Sequence, residues 1–163
     1  MLKTGRILAK LPGRVVSSRR TCLVIEDDDD ISGLLSFILT QEGFDVHTVG
    51  TGMAALSTAQ QTRPDLITLD LGLPDMAGHD VAGRLRELTD APVLIITAFA
   101  ETADEINAIA AGARAYLAKP FRPAELRTLI RALCPPPDDA PATEATTDAR
   151  ATLDVPVNDL GHR

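Results

Sequence analysis

Aromatic residues are nearly missing from this sequence: it holds no tryptophan, one tyrosine and four phenylalanines in 163 residues. A core built on large rings is thereby excluded. The 45% of the chain that is hydrophobic must pack as Leu, Ile, Val and Ala, which is still one domain's worth of core. Long apolar runs are missing too. None approaches the roughly 18 residues of a membrane-crossing helix, so a soluble, cytoplasmic chain is expected. Cysteine is scarce, and Cys22 and Cys134 stand too far apart for a metal-ligating pattern or a disulfide framework. A reducing cytosol is the default compartment. There is no Gly-rich phosphate loop of the GxxxxGK[ST] kind. None of the histidines, His47, His79 or His162, competes well as a nucleophile.

Charge is present but unevenly spread. Residues 1–20 carry six cations and no acid, a net +6, and residues 135–163 are net −4, so with −7 overall the segment 21–134 holds −9. A segment that acidic is a poor nucleic-acid binder and suits metal cations or basic partners. Residues 1–20, broken at Pro12-Gly13, read as a disordered basic tail, and their Arg-rich, acid-free character also fits a transit peptide. Residues 135–163 are rich in Pro, Ala, Thr and Asp with no apolar period. They read as a second disordered tail from which no DNA-reading helix-turn-helix can be built, so no direct nucleic-acid contact is expected.

Between the tails the pattern is regular. TCLVI is a buried-strand candidate, and Ile31, Leu34, Leu35, Ile38 and Leu39 then recur on one face of a helix that Gly43 stops. FDVHTV reads as a strand, 53–62 as a helix, DLITLD as a strand, and 78–88 as a helix carrying Val81, Leu85 and Leu88. PVLIIT is a strand, 102–111 a helix, RAYLA a strand, and Leu126, Leu129, Ile130 and Leu133 line a last helix ended by the prolines at 135–137. Strict strand–helix alternation with short connections predicts an α/β domain, a parallel sheet covered by helices on both faces. Ligands of such sheets bind outside the carboxyl ends of the strands.

The residues at those ends are chemically coherent. Glu26 and Asp27 follow the first strand, Asp70 closes the third, Thr97 closes the fourth and Lys119-Pro120 follows the fifth. Three gathered carboxylates repel each other, which a hard divalent cation such as Mg²⁺ resolves with oxygen ligands. Lys119 supplies a point charge for a phosphate oxygen and Thr97 a hydroxyl donor. That set suits phosphoryl transfer, with a carboxylate as the nucleophile.

On the motifs VIEDD, TLDLGLPDMAG, IITA and AYLAKPF, in this order over residues 21–133, the chain resembles the receiver domain of two-component response regulators. The resemblance implies a flavodoxin-like, doubly wound (βα)5 fold with strand order 2-1-3-4-5. It implies that Asp70 is the phosphoacceptor, charged by a histidine kinase or a histidine phosphotransfer protein. Glu26, Asp27 and Asp70 would hold Mg²⁺ together with the backbone carbonyl of Gly72. Lys119 would pair with the phosphoryl group, Thr97 would move to bond it, Tyr116 would turn inward as the aromatic switch, and Lys119-Pro120 would be a cis peptide. Read on its own, Tyr116 is equally well a packing residue.

Asp28, Asp29 and Asp30 exceed what the metal needs and read as N-cap and first-turn acids of the following helix. The last helix, if antiparallel to the first strand, brings Cys22 and Cys134 to one edge of the sheet, where a reducing compartment favours free thiols. The reading is a stand-alone receiver of residues 21–134: a phosphorylation-controlled switch acting through protein contact, with a downstream partner and a phosphorylation-dependent dimer as open questions. Its chemistry on itself is switching, not metabolic catalysis. The rivals are a receiver fragment of a longer DNA-binding regulator or hybrid histidine kinase, an Asp-nucleophile phosphatase, and a constitutive binding module. The phosphatases usually carry a general-acid Asp where this chain has Gly72, and the intact set of Glu26, Asp27, Asp70, Thr97 and Lys119 argues against a module that has lost its chemistry.

Overall fold

A computed structural model describes residues 19–98, 107 and 110–137. Its strands are β1 (Arg20–Ile25), β2 (Phe44–Val49), β3 (Leu66–Leu69), β4 (Val93–Thr97) and β5 (Ala115–Ala118). The helices described are α1 (Asp29–Gln41), α2 (Gly52–Thr62), α3 (Gly78–Leu88) and α4 (Pro123–Leu133). All neighbouring strands pair in parallel, in the order β2-β1-β3-β4-β5. This is the flavodoxin-like order that the motifs implied. The helix expected over 102–111 lies largely outside the described residues, although Asn107 and Ala110 are helical.

Both faces of the central strands are buried, which is why they read as unbroken apolar runs. Leu23, Ile25, Ile67, Leu69 and Ile95 point to one side and pack with Ala55 and Ala59 of α2 and Val81 and Leu85 of α3. Cys22, Val24, Leu66, Leu94 and Ile96 point to the other and pack with Leu35, Ile38 and Leu39 of α1 and Leu126 and Ile130 of α4. Leu34, expected on the inner stripe of α1, is instead 43% exposed, and Phe37 beside it is 62% exposed. The sheet buries the narrow stripe through Leu35, Ile38 and Leu39, with Ile31 packed at its margin.

Helix boundaries follow local chemistry. Asp28 caps α1 through a bond from Ile31 N to Oδ1 of 3.0 Å, and Asp29 and Asp30 occupy the first turn. The chain leaves α1 at Gly43, whose φ of 89° suits glycine. Thr51 caps α2 by accepting from Ala54 N at 3.2 Å.

Residue 20 belongs to the sheet and not to the basic tail. The Arg20 guanidinium lies 4.3 Å from the centroid of the Phe44 ring. It donates to Glu42 O at 2.9 Å, past the end of α1, and to Cys134 O at 2.5 Å and Pro135 O at 2.9 Å, past the end of α4. A cation at two helix C-termini satisfies orphan carbonyls and interacts favourably with the negative ends of both dipoles. Cys22 and Cys134 are free thiols, and burial pushes the Cys22 thiol well above its ordinary value.

Candidate functional site

The three acids, the threonine and the lysine all stand at carboxyl ends of strands. Glu26 and Asp27 follow β1, Asp70 follows β3, Thr97 ends β4 and Lys119 follows β5. Because β1 and β3 are neighbours, the loops bearing the acids lie side by side. Hydrogen bonds carry the sheet one residue further: Glu26 N donates to Val49 O at 2.9 Å, Asp70 N to Ile25 O at 3.0 Å, and Lys119 N to Thr97 O at 2.9 Å. The acids thus start from fixed backbone.

One oxygen from each of Glu26, Asp27 and Asp70 lies within 4.8 Å of the others. Glu26 is 4% and Asp70 8% exposed, whereas Asp27 faces solvent. The Lys119 ammonium bridges the two buried acids, with Nζ 2.6 Å from Glu26 Oε2 and 3.2 Å from Asp70 Oδ2. The remaining oxygens take backbone donors: Asp28 N donates to Glu26 Oε1 at 3.1 Å, and Gly72 N donates to Asp70 Oδ1 at 3.1 Å.

Burial pushes the Glu26 carboxyl above its ordinary pKa, and the Asp70 charge adds to the rise against the pull of Lys119 and the Asp28 N–H. Burial alone would lower the Lys119 pKa, but its bonds and charge contacts with Glu26 and Asp70 outweigh that and hold it up as an ammonium. One ammonium among three carboxylates leaves negative charge in a partly desolvated pocket. A hard divalent cation suits that remainder: the donors are all oxygen, and exposed Asp27 leaves a side open to water, as Mg²⁺ requires.

Thr97 is fully buried at the end of β4. Tyr116 is half-buried on β5, opposite Ile95, and packs against the core on the α2–α3 side. The Lys119-Pro120 peptide is cis. Beside Lys119 opens a groove of about 440 Å³ lined by Ile31, Leu34, Ala98, Pro120 and Phe121. Asp28, Asp29 and Asp30 lie outside the carboxylate cluster.

Sequence reasoning gave Asp75 no role. Its Oδ1 accepts from Gly52 N at 2.7 Å and its Oδ2 from Met53 N at 3.0 Å. These bonds hold its carboxyl below the usual carboxylate range, the Met53 N–H contributing most. The sequence signals only an acid in a turn, because both donors lie on another element.

The family model described as response regulator receiver domain matches residues 22–131. The DNA-binding response regulator MtrA of Mycolicibacterium paratuberculosis is 39% identical over 140 residues, which are 86% of this chain and 62% of that protein. The transcriptional regulatory protein KdpE of Mycobacterium tuberculosis is 44% identical over 110 residues, 68% of this chain and 49% of that protein. The chain thus spans about half to three-fifths of the length of these relatives. Among solved structures, the receiver domain of the sensor histidine kinase PA1611 from Pseudomonas aeruginosa superimposes with a TM-score of 0.64 at 29% identity, covering 71% of this chain and 98% of that one. That structure has a magnesium ion coordinated in its active-site cleft.

Proposed function

The chain belongs to the response regulator receiver domain family, and on that footing we propose that it is a phosphorylation-controlled switch whose Asp70 accepts a phosphoryl group from a phosphohistidine on a kinase or phosphotransfer protein. The observation that carries the reading is the Lys119 ammonium held between Glu26 and Asp70, with three carboxylate oxygens within 4.8 Å of one another.

In the transfer, an Asp70 oxygen forms the new P–O bond, the donor's P–N bond breaks, and the imidazole nitrogen leaves with the electron pair. Glu26, Asp27, Asp70 and the Gly72 carbonyl are the groups to hold Mg²⁺, which when bound supplies neutralisation of the phosphoryl oxygens. Lys119 places a fixed positive charge where one of those oxygens arrives. Thr97 donates its hydroxyl to another, and Tyr116 turns inward behind it to pass the change to the outer surface. The chain's chemistry on itself, gain and loss of the phosphoryl group, sets the state of a switch and is not metabolic turnover.

A second reading is favoured by the relatives. MtrA is a DNA-binding regulator of which the chain matches 62%. This supports a receiver within a longer regulator, whose DNA contact is made by another domain.

Phosphorylation with a small acyl phosphate and Mg²⁺ tests the common core of both readings. The parent gains a hydroxylamine-sensitive phosphoryl group, visible as intact mass, and Asp70→Asn gains none. Equal labelling of the two proteins refutes the assignment.

A further inference from the structure

Three backbone segments meet around the acids, and one side chain ties the third to the second. The first is the Glu26–Asp27 turn. The second is the stretch from Val49 into α2, which packs on that turn: Val49 O accepts from Glu26 N at 2.9 Å, and a Cβ built on Gly50 would stand 3.7 Å from Asp27 Cα and 3.8 Å from Glu26 O. The third is the loop from Asp70 to α3, pinched at its base where Gly78 N donates to Leu71 O at 3.3 Å. The pinch tolerates only glycine, since a Cβ on Gly78 would lie 2.4 Å from Leu71 Cα. At the tip of this loop stands Asp75. Each of its oxygens takes one of the first two N–H groups of α2, from Gly52 and Met53. The approach is close: a Cβ on Gly52 would lie 2.8 Å from Val81 Cγ2 and 2.9 Å from Met76 Sδ.

We propose that Asp75 is a positioning residue of the phosphoacceptor site: by gripping the start of α2 it fixes the loop that carries Asp70 and Gly72 against the segment that backs Glu26 and Asp27. The inference rests on the proposed metal-assisted phosphoacceptor role of that site. Asp75 touches neither metal nor phosphoryl group. It acts through backbone, setting how far Asp70 and Gly72 stand from the other acids. Charge-assisted bonds to a helix N-terminus are suited to this, because carboxylate and helix dipole favour the same geometry.

The alternative is that Asp75 merely caps α2. Thr51 provides the control, since its hydroxyl caps the same helix from within, accepting from Ala54 N. Mg²⁺ titration of the full chain, followed by the amide NMR shifts of Asp70 and Gly72, is compared for the parent, Asp75→Ala, Asp75→Asn and Thr51→Ala. Asp75→Ala is expected to weaken Mg²⁺ binding about tenfold, the low end of losses for residues supporting a metal site from outside its ligands. Asp75→Asn, which keeps one acceptor oxygen, loses less. Thr51→Ala lowers the melting temperature and leaves the Mg²⁺ affinity at the parent value. Equal affinity in the parent and both Asp75 variants, or an equal loss in Thr51→Ala, overturns the inference. A parent with no Mg²⁺ affinity instead overturns the phosphoacceptor reading on which it rests.

Discussion

Thr68 carries a hydroxyl into the middle of the sheet. It lies on β3 between Val24 of β1 and Leu94 of β4, on the face covered by α1 and α4. Its Oγ1 is buried without a hydrogen-bond partner among the described residues. An unpaired buried polar group costs about 1–3 kcal/mol of desolvation, and valine has nearly the same shape without it. Thr68→Val is therefore expected to raise stability by roughly 1 kcal/mol, a few degrees in melting temperature. A drop in melting temperature would mean that the hydroxyl has a partner in solution. The sequence shows Thr68 only as a β-former in an apolar run, since hydroxyl pairing depends on neighbours from two other strands. Asp75 was illegible for the same reason: its partners are on α2, and nothing local marks them. By contrast Asp28, Asp29 and Asp30 were legible, because an N-cap acts within a few residues of itself.

Among elements, α1 and α4 are joined by charge at the edge of the sheet opposite the site. Glu42 Oε1 lies 2.7 Å from Arg127 Nη1, and Glu42 Oε2 lies 2.8 Å from Arg131 Nε. The Arg131 bond, with that of Arg127 beside it, holds the Glu42 carboxyl below its ordinary pKa. A depressed carboxylate contributes its full stability above the unfolded pKa, about 4.3 for Glu, and loses it as pH falls through the lower folded value. Glu42→Gln should thus unfold at a lower urea concentration near neutral pH, by about 1 kcal/mol for a two-arginine cluster at the surface. The gap between variant and parent should close on acidification below the ordinary Glu range. A gap that is constant with pH would assign the effect to packing. Sequence pattern located both helices, since each carries its own apolar period and stop. It could not pair Glu42 with arginines far along the chain, nor see that Arg20 closes the ends of both helices. It also widened the inner stripe of α1 to include Leu34, because periodicity cannot tell how wide a strip the sheet will cover.

For the whole molecule, alternation of strands and helices made the parallel sheet legible, and the sheet in turn brought Glu26, Asp27, Asp70 and Lys119 to one edge. The hydrogen-bond geometry was not legible, above all that Lys119 bridges Glu26 and Asp70. That bridge makes the stability of the domain depend on which cation answers the acids. In EDTA, Lys119→Ala leaves Glu26 and Asp70 facing each other with no ammonium between them, and the variant should melt below the parent. Mg²⁺ should then stabilise it at least as much as the parent, because the carboxylate ligands are intact and one competing cation is gone. Asp27→Ala should behave in the opposite way. It removes a solvent-facing charge at little cost in EDTA, yet loses most of the rise in melting temperature on adding Mg²⁺. A ligand bound only to the folded state at 100 times its dissociation constant adds about 2.7 kcal/mol, so the contrast is measurable in a thermal melt with and without the metal. If Lys119→Ala lost the Mg²⁺ response as fully as Asp27→Ala, the lysine would be needed to build the metal site, and its separate role toward the phosphoryl group would fall.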